Sequence, residues 1–271
     1  MSSSARKTRK NIPTKSYVVA IPSYDRPTSI VQKSLKTLSD GGIPKNLVHI
    51  FVANKTQEKC YRDAVPKDMY GKIVVGKIGI TEQRKFIIKH YPKNQMIVSI
   101  DDDIEGLFRK KNDKELVQIT DIHAFFCDAF IMLKKEKLYI WGVYPVRNPF
   151  FMKKTTTTDL KFIVGELYGF INRKMKSIMP SSKIKEKEDC EQSILYFIKD
   201  GGVVRFNDVA IKAKKHAPGG LGVTEGRLEA NSVAADYLKT TYPGYVSIFH
   251  RANGMTEVRL ARIKRDEKPK E

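Results

Sequence analysis

Four short apolar runs separated by helical patterns fill the first hundred residues, and that alternation restricts the chain's fold more than any other feature. The runs are "YVVAIP" (Tyr17–Pro22), "LVHIFVAN", "KIVVG" and "MIVSI" (Met96–Ile100). Each is apolar throughout rather than at every second residue, as expected of parallel strands covered on both faces. Between them, Ile30, Val31, Leu35 and Leu38 fall at helical spacing within Thr28–Leu38, a short helix is expected around Gln57–Ala64, and "TEQRKFIIKH" reads as a helix with Thr81 as N-cap and Glu82 in its first turn. Repeated strand–helix units predict an open, mostly parallel α/β sheet. In such sheets ligands bind beyond the carboxyl ends of the strands, which here carry Ser23 to Arg26, Asn54 and the triplet Asp101, Asp102 and Asp103.

The triplet is chemically unusual. Adjacent carboxylates at the end of a buried strand repel one another and keep their charge only beside a cation, a hydrogen-bond donor or water. The whole chain is basic, with 50 Lys and Arg against 30 Asp and Glu and a formal charge of +20. That excess favours a polyanionic partner, nucleic acid before an anionic membrane surface, although a solvated basic surface is the plainer reading. Three widely spaced cysteines, Cys60, Cys127 and Cys190, speak against a disulfide framework or thiolate zinc site and suit a reducing compartment. No apolar run approaches the roughly twenty residues needed to span a bilayer, so a soluble, cytoplasmic protein is expected.

The second half is organised differently. "DIHAFFCDAFIML" places Ile122, Phe125, Phe126, Ala129, Phe130 and Leu133 on one helical stripe, which reads as core. Strands are expected in "LYIWGVYPV", "KFIVG" and "LYGFINR". "EDCEQSILYFIKDGG" is expected to be a helix from near Glu188 to Gly201, and "VVRFND" with "VAIKAKKH" a hairpin before the glycine-rich "APGGLG". A helix near Arg227 to Leu238 and a strand "YVSIF" follow. The expected boundaries are a basic arm over 1–15, one domain over 16–262 divided into halves 16–108 and 109–262, and a tail over 263–271.

The motif order "VVAIPSYDRP", "SIDDDI", "KED" at a helix start and a later His resembles the GT-A glycosyltransferases over roughly residues 17 to 220. More narrowly, the size, the charge and "EDCEQSILYFIKDGGVVRFNDVAIKAKKHAPGG" resemble the enzymes associated with TET/JBP-type oxygenases in phages and kinetoplastids, which attach sugar to hydroxymethylated pyrimidines in DNA. The resemblance implies a GT-A, Rossmann-like sheet with helices on both faces and a smaller mixed acceptor-side region. It also implies a Mn2+ or Mg2+ ion, a nucleotide-sugar donor (a UDP-sugar) and a DNA acceptor. By the same resemblance Asp103 is the direct metal ligand, Asp101 faces the ribose, Asp102 aids either, His216 completes the metal shell and Asp189 is the base of an inverting transfer.

Chemistry supports these roles independently. A nucleoside diphosphate leaves readily when a hard cation held by carboxylates neutralises it. A hydroxymethyl group attacks when a carboxylate within reach takes its proton. At the donor end Pro22 and Tyr24 offer a turn and an aromatic face, Arg26 and Arg84 suit the base edge or diphosphate, and Asn54 suits the nucleoside. Trp141, Tyr144, Arg147 and Asn148 are candidates for the acceptor wall, and Lys212, Lys214 and Lys215 for phosphates. Each has a bland alternative: Tyr24 and Arg26 as turn residues, Asp189 as a helix N-terminal carboxylate, Trp141 as core. A GT-A enzyme acting on protein or polysaccharide, and a metal-dependent nuclease or DNA-binding protein, remain open alternatives.

Overall fold

The computed structural model describes residues 17–213, 226–252 and 254–268. The first half follows the expected alternation. Strand β1 (Tyr17–Pro22) leads into a helical run made of α1 (Pro27–Ile30), a π-helical turn at Val31–Leu35 and α2 (Lys36–Asp40). Then come β2 (Val48–Val52), α3 (Lys55–Ala64), β3 (Lys72–Val75), α4 (Ile80–His90) and β4 (Met96–Ile100). Helix α4 begins earlier than its sequence suggests. Gly79, with φ +85, is the N-cap in place of Thr81, because its left-handed backbone starts the helix without a side-chain cap. Glu82 does lie in the first turn.

The remaining elements are β5 (Ile104–Lys110), β6 (Leu116–Gln118), α5 (Ile122–Glu136), β7 (Ile140–Tyr144), β8 (Thr156–Thr157), β9 (Leu167–Ile171), α6 (Glu188–Asp200), β10 (Val204–Ala213), α7 (Arg227–Thr241), β11 (Val246–His250) and β12 (Thr256–Leu260). Ten strands form one sheet in the order β3-β2-β1-β4-β9-β7-β10-β5-β6, with β8 also on β10, while β11 and β12 form a separate hairpin. The block β3-β2-β1-β4 is parallel, as is β7 with β10, and β9, β5 and β8 run against the others. This is the mostly parallel α/β sheet, with a mixed second half, that the sequence predicts.

Both faces of the sheet are covered, which explains the uninterrupted apolar strands. Tyr17, Val19 and Ile21 pack with Leu35, Leu38, Phe126 and Phe130 on one face. Ala20, Ile97 and Phe170 pack with Ile87, Ile88, Tyr196 and Phe197 on the other. The chain winds outward from β1 through β2 to β3 and returns to β4 on β1's other side. The carboxyl ends of β1 and β4 therefore meet at the topological switch point, where open α/β sheets form their binding crevice.

Two expected features take another form. The hairpin expected from Val203 onward is not formed within the described residues: β10 is a single strand held between β7 and β5 as far as Ala213, with register shifts between Phe206 and Ala210 and again at Lys212 and Ala213, and the last three residues of the expected hairpin lie outside the described residues. The polar pair Asn207–Asp208 does not turn the chain, since Asn207 is buried and its side chain is occupied by Arg205, Thr155 and Thr157. The "KFIVG" segment is not a strand either. Its amides go to side chains of α6, with Ile163 N donating to Ser193 Oγ (2.9 Å) and Gly165 N to Asp189 Oδ2 (3.1 Å), instead of to a sheet ladder.

Candidate active site

The acidic turn after β4 is fastened from beneath by the helical run that precedes it. Buried Ser34, in the π-helical turn, donates to the carbonyl of Asp101 (2.6 Å) and accepts from Ile104 N (2.9 Å), and Thr37 Oγ1 donates to Ile104 O (3.0 Å). The three carboxylates are thereby held apart and given different surroundings.

Asp102 turns inward. Its Oδ2 accepts from Ser23 Oγ (2.5 Å) and its Oδ1 from Arg26 Nη1 (3.1 Å), so it ties the end of β1 to the end of β4. Since the Ser23 proton goes to Asp102, Tyr61 must donate to Ser23 Oγ (2.5 Å), and its phenol oxygen accepts from Arg26 N (3.0 Å). Asp25, with φ +55, makes the bend that turns Arg26 back over the triplet. Asp103 lies at the rim, with Arg26 Nη1 at 3.6 Å from its Oδ2. Burial, and next to it the charge of Asp102, raises the Asp103 pKa.

Asp101 points the other way, toward α6. Arg84 of α4 reaches between them: Nη2 donates to Asp101 Oδ1 (3.0 Å) and to the Gly165 carbonyl (2.8 Å), and Nη1 donates to Glu188 Oε1 (2.5 Å). Gly165 permits this approach, because a Cβ there would stand 2.7 Å from Arg84 Nη1. The amide of the same glycine donates to Asp189 Oδ2, and Cys190 N donates to Asp189 Oδ1 (2.9 Å). One arginine and one glycine thus join the strand-end acid motif to the acidic start of α6.

Burial dominates the electrostatics of this assembly. It pushes the Asp101 pKa up to about 7 against the opposing charge of Arg84, with Glu166, Asp102 and Asp103 adding to the rise. Glu188 is pushed up to about 7, and Asp189 is also raised, burial leading and Arg84 opposing in both. The donors of the acidic turn are hard carboxylate oxygens, with Asp103 at the rim, so a divalent cation such as Mg2+ or Mn2+ fits the rim chemically. Among the described residues no group of three or more His, Cys, Asp or Glu side chains is arranged to hold a metal ion, so bound phosphate and water would supply the remaining ligands.

A cleft of about 520 Å³ opens beside the rim, lined by Glu105, Pro145, Val146, Arg147, Glu166, Ile211, Lys212 and Ala213. It shares its loops with the acid turn, since Glu105 lies two residues beyond Asp103 and the Glu166 carbonyl accepts from Asp101 N (2.9 Å). Lys212 is paired with Glu105 across the cleft (2.8 Å).

The other sequence candidates fall into place around this centre. Pro22 ends β1 in register with Phe51, and exposed Tyr24 stands on the turn that follows. Asn54 caps α3, its Oδ1 accepting from Gln57 N (2.9 Å). Arg147 lines the cleft and lies over the Phe108 ring, 5.2 Å from its centroid, while Asn148 braces the turn after it, its side chain accepting from Phe150 N. Tyr144 is half-buried beneath Arg205. Trp141 is not part of any wall: it is fully buried among Phe125, Phe126, Phe130 and Phe206, with its indole against Gly169. His216, Lys214 and Lys215 lie outside the described residues. Ser34, Tyr61, Gly165 and Glu166, which position the carboxylates, are not among the sequence candidates, whereas Ser23 lies in the strand-end stretch already singled out. Ser34 alone carried a usable signal, as a polar residue inside an apolar helical stripe.

No family model and no curated protein matches this chain. Among solved structures it is similar to a mycobacterial protein at 12% identity and a TM-score of 0.50, covering 92% of this chain and 85% of that one. Glucosyl-3-phosphoglycerate synthase from Mycobacterium tuberculosis, solved with Mn2+, UDP and phosphoglyceric acid, aligns at 10% identity and a TM-score of 0.48 over 92% and 88% of the two chains. TarS 1–349 of S. aureus, solved with UDP, aligns at 15% identity and a TM-score of 0.49 over 82% of this chain and 65% of that one. In another TarS 1–349 structure the match spans 59% of that chain. The mycobacterial protein shares the α/β fold.

Proposed function

We propose that the chain is a metal-dependent, inverting GT-A glycosyltransferase that moves a sugar from a UDP-linked donor to hydroxymethylated pyrimidines in DNA. The observation that carries the reading is the Arg84 bridge, which joins Asp101 of the strand-end motif to Glu188 at the start of α6, next to Asp189. These are the two acidic motifs that the GT-A resemblance requires to act together.

Asp103 at the rim would hold a divalent ion, which when bound would neutralise the charge gathering on the departing diphosphate, with Asp101 toward the nucleotide side. The protein's own groups do the rest. Tyr24 offers an exposed aromatic face for the nucleobase, and Arg26 fixes the acidic turn. Asp189 takes the proton of the acceptor hydroxymethyl group as its oxygen bonds to the anomeric carbon. The bond from that carbon to the diphosphate oxygen breaks, the nucleoside diphosphate leaves with the electron pair, and direct displacement inverts the centre. A carboxylate whose pKa is raised by burial is a stronger base at neutral pH than an exposed one, provided it stays ionised. Two backbone amides, from Gly165 and Cys190, favour that ionised form and aim it.

The DNA acceptor rests on the net charge of +20 and on the narrower motif resemblance. The test is a transfer assay with a panel of nucleotide sugars and Mn2+ on hydroxymethylated DNA, unmodified DNA, protein and polysaccharide, followed by mass spectrometry of the digests. A one-sugar mass increase on hydroxymethylated DNA alone is expected. Labelling of protein or polysaccharide instead moves the enzyme to another acceptor class, and plasmid cleavage with Mg2+ and no donor replaces the reading by a nuclease.

A further inference from the structure

The loop between β7 and β8 carries two aromatic rings that neither the core nor the acid rim uses. Phe150 and Phe151 are 72% and 56% exposed, and their rings meet edge to face at 5.1 Å. They do not stand on a frayed segment. Asn148 accepts through its side chain from Phe150 N (3.0 Å) and through its carbonyl from Phe151 N (3.2 Å) and Met152 N (3.3 Å). Met152 is buried, its carbonyl accepts from Lys110 Nζ (2.6 Å), and Lys153 N donates to Asn207 O (3.0 Å). The turn is thus closed on Asn148 and fastened to the sheet at its far flank, while both rings are exposed.

The surroundings say what would meet those rings. At its start the loop forms one wall of the cleft through Pro145, Val146 and Arg147. Beyond its end, Lys161 has Arg205, Arg262 and Lys153 within electrostatic reach, against Asp159 at 3.9 Å. Burial, with Arg205 next, lowers the Lys161 pKa, and burial pushes Arg205 down to about 10. Cations gathered and partly desolvated in this way favour an anion between them. Two exposed rings on a braced turn, with a cleft on one side and cations beyond the other, match a strand with bases and phosphates, whereas an apolar protein surface would leave the cations unmatched and a bilayer would not enter the cleft.

We infer that the Phe150–Phe151 turn is a stacking wedge for a nucleic-acid strand, holding the base next to the one that enters the cleft while Lys153, Lys161 and Arg262 receive the phosphates. The inference rests on the DNA acceptor of the proposed function and adds the surface that grips it. Stacking is tolerant of sequence, so the wedge would act on any neighbouring base, and selection of the modified base would fall to the cleft.

The test is the affinity of the full chain for short oligonucleotides bearing 2-aminopurine beside the target position, measured by anisotropy and by 2-aminopurine emission over a salt series. Replacing both rings, Phe150→Ala with Phe151→Ala, is expected to weaken binding about ten- to a hundredfold with the salt slope unchanged. The corresponding Leu pair should fail similarly and the Tyr pair should restore binding. Lys153→Gln with Lys161→Gln should weaken all sequences alike and reduce the slope of log K against log salt by about two. UDP affinity in the presence of Mn2+ and the thermal midpoint should not move in the ring variants. If wild type binds DNA and the alanine pair binds as well, the wedge is wrong while the acceptor reading stands. A Leu pair equal to wild type, or loss of binding to phosphatidylserine vesicles with DNA binding intact, assigns the rings to apolar or membrane docking and overturns the inference. A wild-type protein that takes UDP with Mn2+ but binds no DNA removes the DNA acceptor itself.

Discussion

Each residue of the acidic triplet has its own task, set by what faces it. Asp102 is spent on Ser23 and Arg26, Asp101 on Arg84, and Asp103 has a looser contact with Arg26 at the rim. Asp103→Ala should therefore abolish Mn2+-dependent UDP binding, read by calorimetry. Asp189→Ala should spare that binding and lower turnover by at least about a hundredfold, the usual scale of a general base. Donor affinity unchanged in the first variant, or near-normal turnover in the second, would refute the assignment. The pH dependence follows from Asp101 and Glu188, both raised to about 7. Unfolded, they release their protons near pH 4, so between about pH 4 and 7 the native state holds more protons than the unfolded one, stability falls as pH rises and the fall levels off above 7. Thermal melts should show this slope in the wild type and a shallower one in Asp101→Asn. Burial raises the Asp103 pKa as well, so a cation held there competes with a proton, and the thermal shift produced by Mn2+ should be larger at pH 8 than at pH 5.5.

Secondary-structure elements place these residues through a few buried polar contacts. Buried Glu191 on α6 accepts from Ser181 N (2.6 Å), Tyr242 OH (2.8 Å) and Tyr237 OH (3.2 Å), fastening α7 and the segment before α6 to the helix that carries Asp189. Glu191→Ala leaves those donors without their acceptor and should cost about 2–3 kcal/mol, measured by urea unfolding, while Glu191→Gln should cost less. The elements also show where sequence reading succeeds. The stripe of Ile122, Phe125, Phe126, Ala129, Phe130 and Leu133 is the buried face of α5, and α6 ends at Gly201 with φ +74, because periodicity and a left-handed C-cap are local properties. Reading failed where the deciding partner was distant. "KFIVG" has strand composition, yet its amides bond to Ser193 and Asp189, and the polar Asn207–Asp208 pair resembles a turn until its cross-chain partners are known.

Over the whole molecule, the excess of cations and the cluster of buried acids have separate consequences. The charge of +20 belongs to the full chain and acts at long range, so DNA affinity should fall steeply between about 50 and 200 mM salt. Nucleotide binding at the rim, governed by short contacts in a partly dry crevice, should change far less over the same range. Parallel titrations of an oligonucleotide and of UDP with Mn2+ check this, and equal salt slopes would show that both ligands meet only the diffuse surface charge. No helix among the described residues is long and apolar enough to cross a membrane.

By itself the sequence determined the strand–helix alternation, the burial of both sheet faces and the position of an acidic motif at a strand end, because all three follow from local hydrophobic pattern. Only the tertiary structure decided which carboxylate faces the rim, that Arg84 and Gly165 join residues far apart in the chain, and that Trp141 belongs to the core while Pro145, Val146 and Arg147 wall the cleft. Those outcomes depend on burial and on partners brought together by the winding of the sheet, and neither is encoded within any single stretch of sequence.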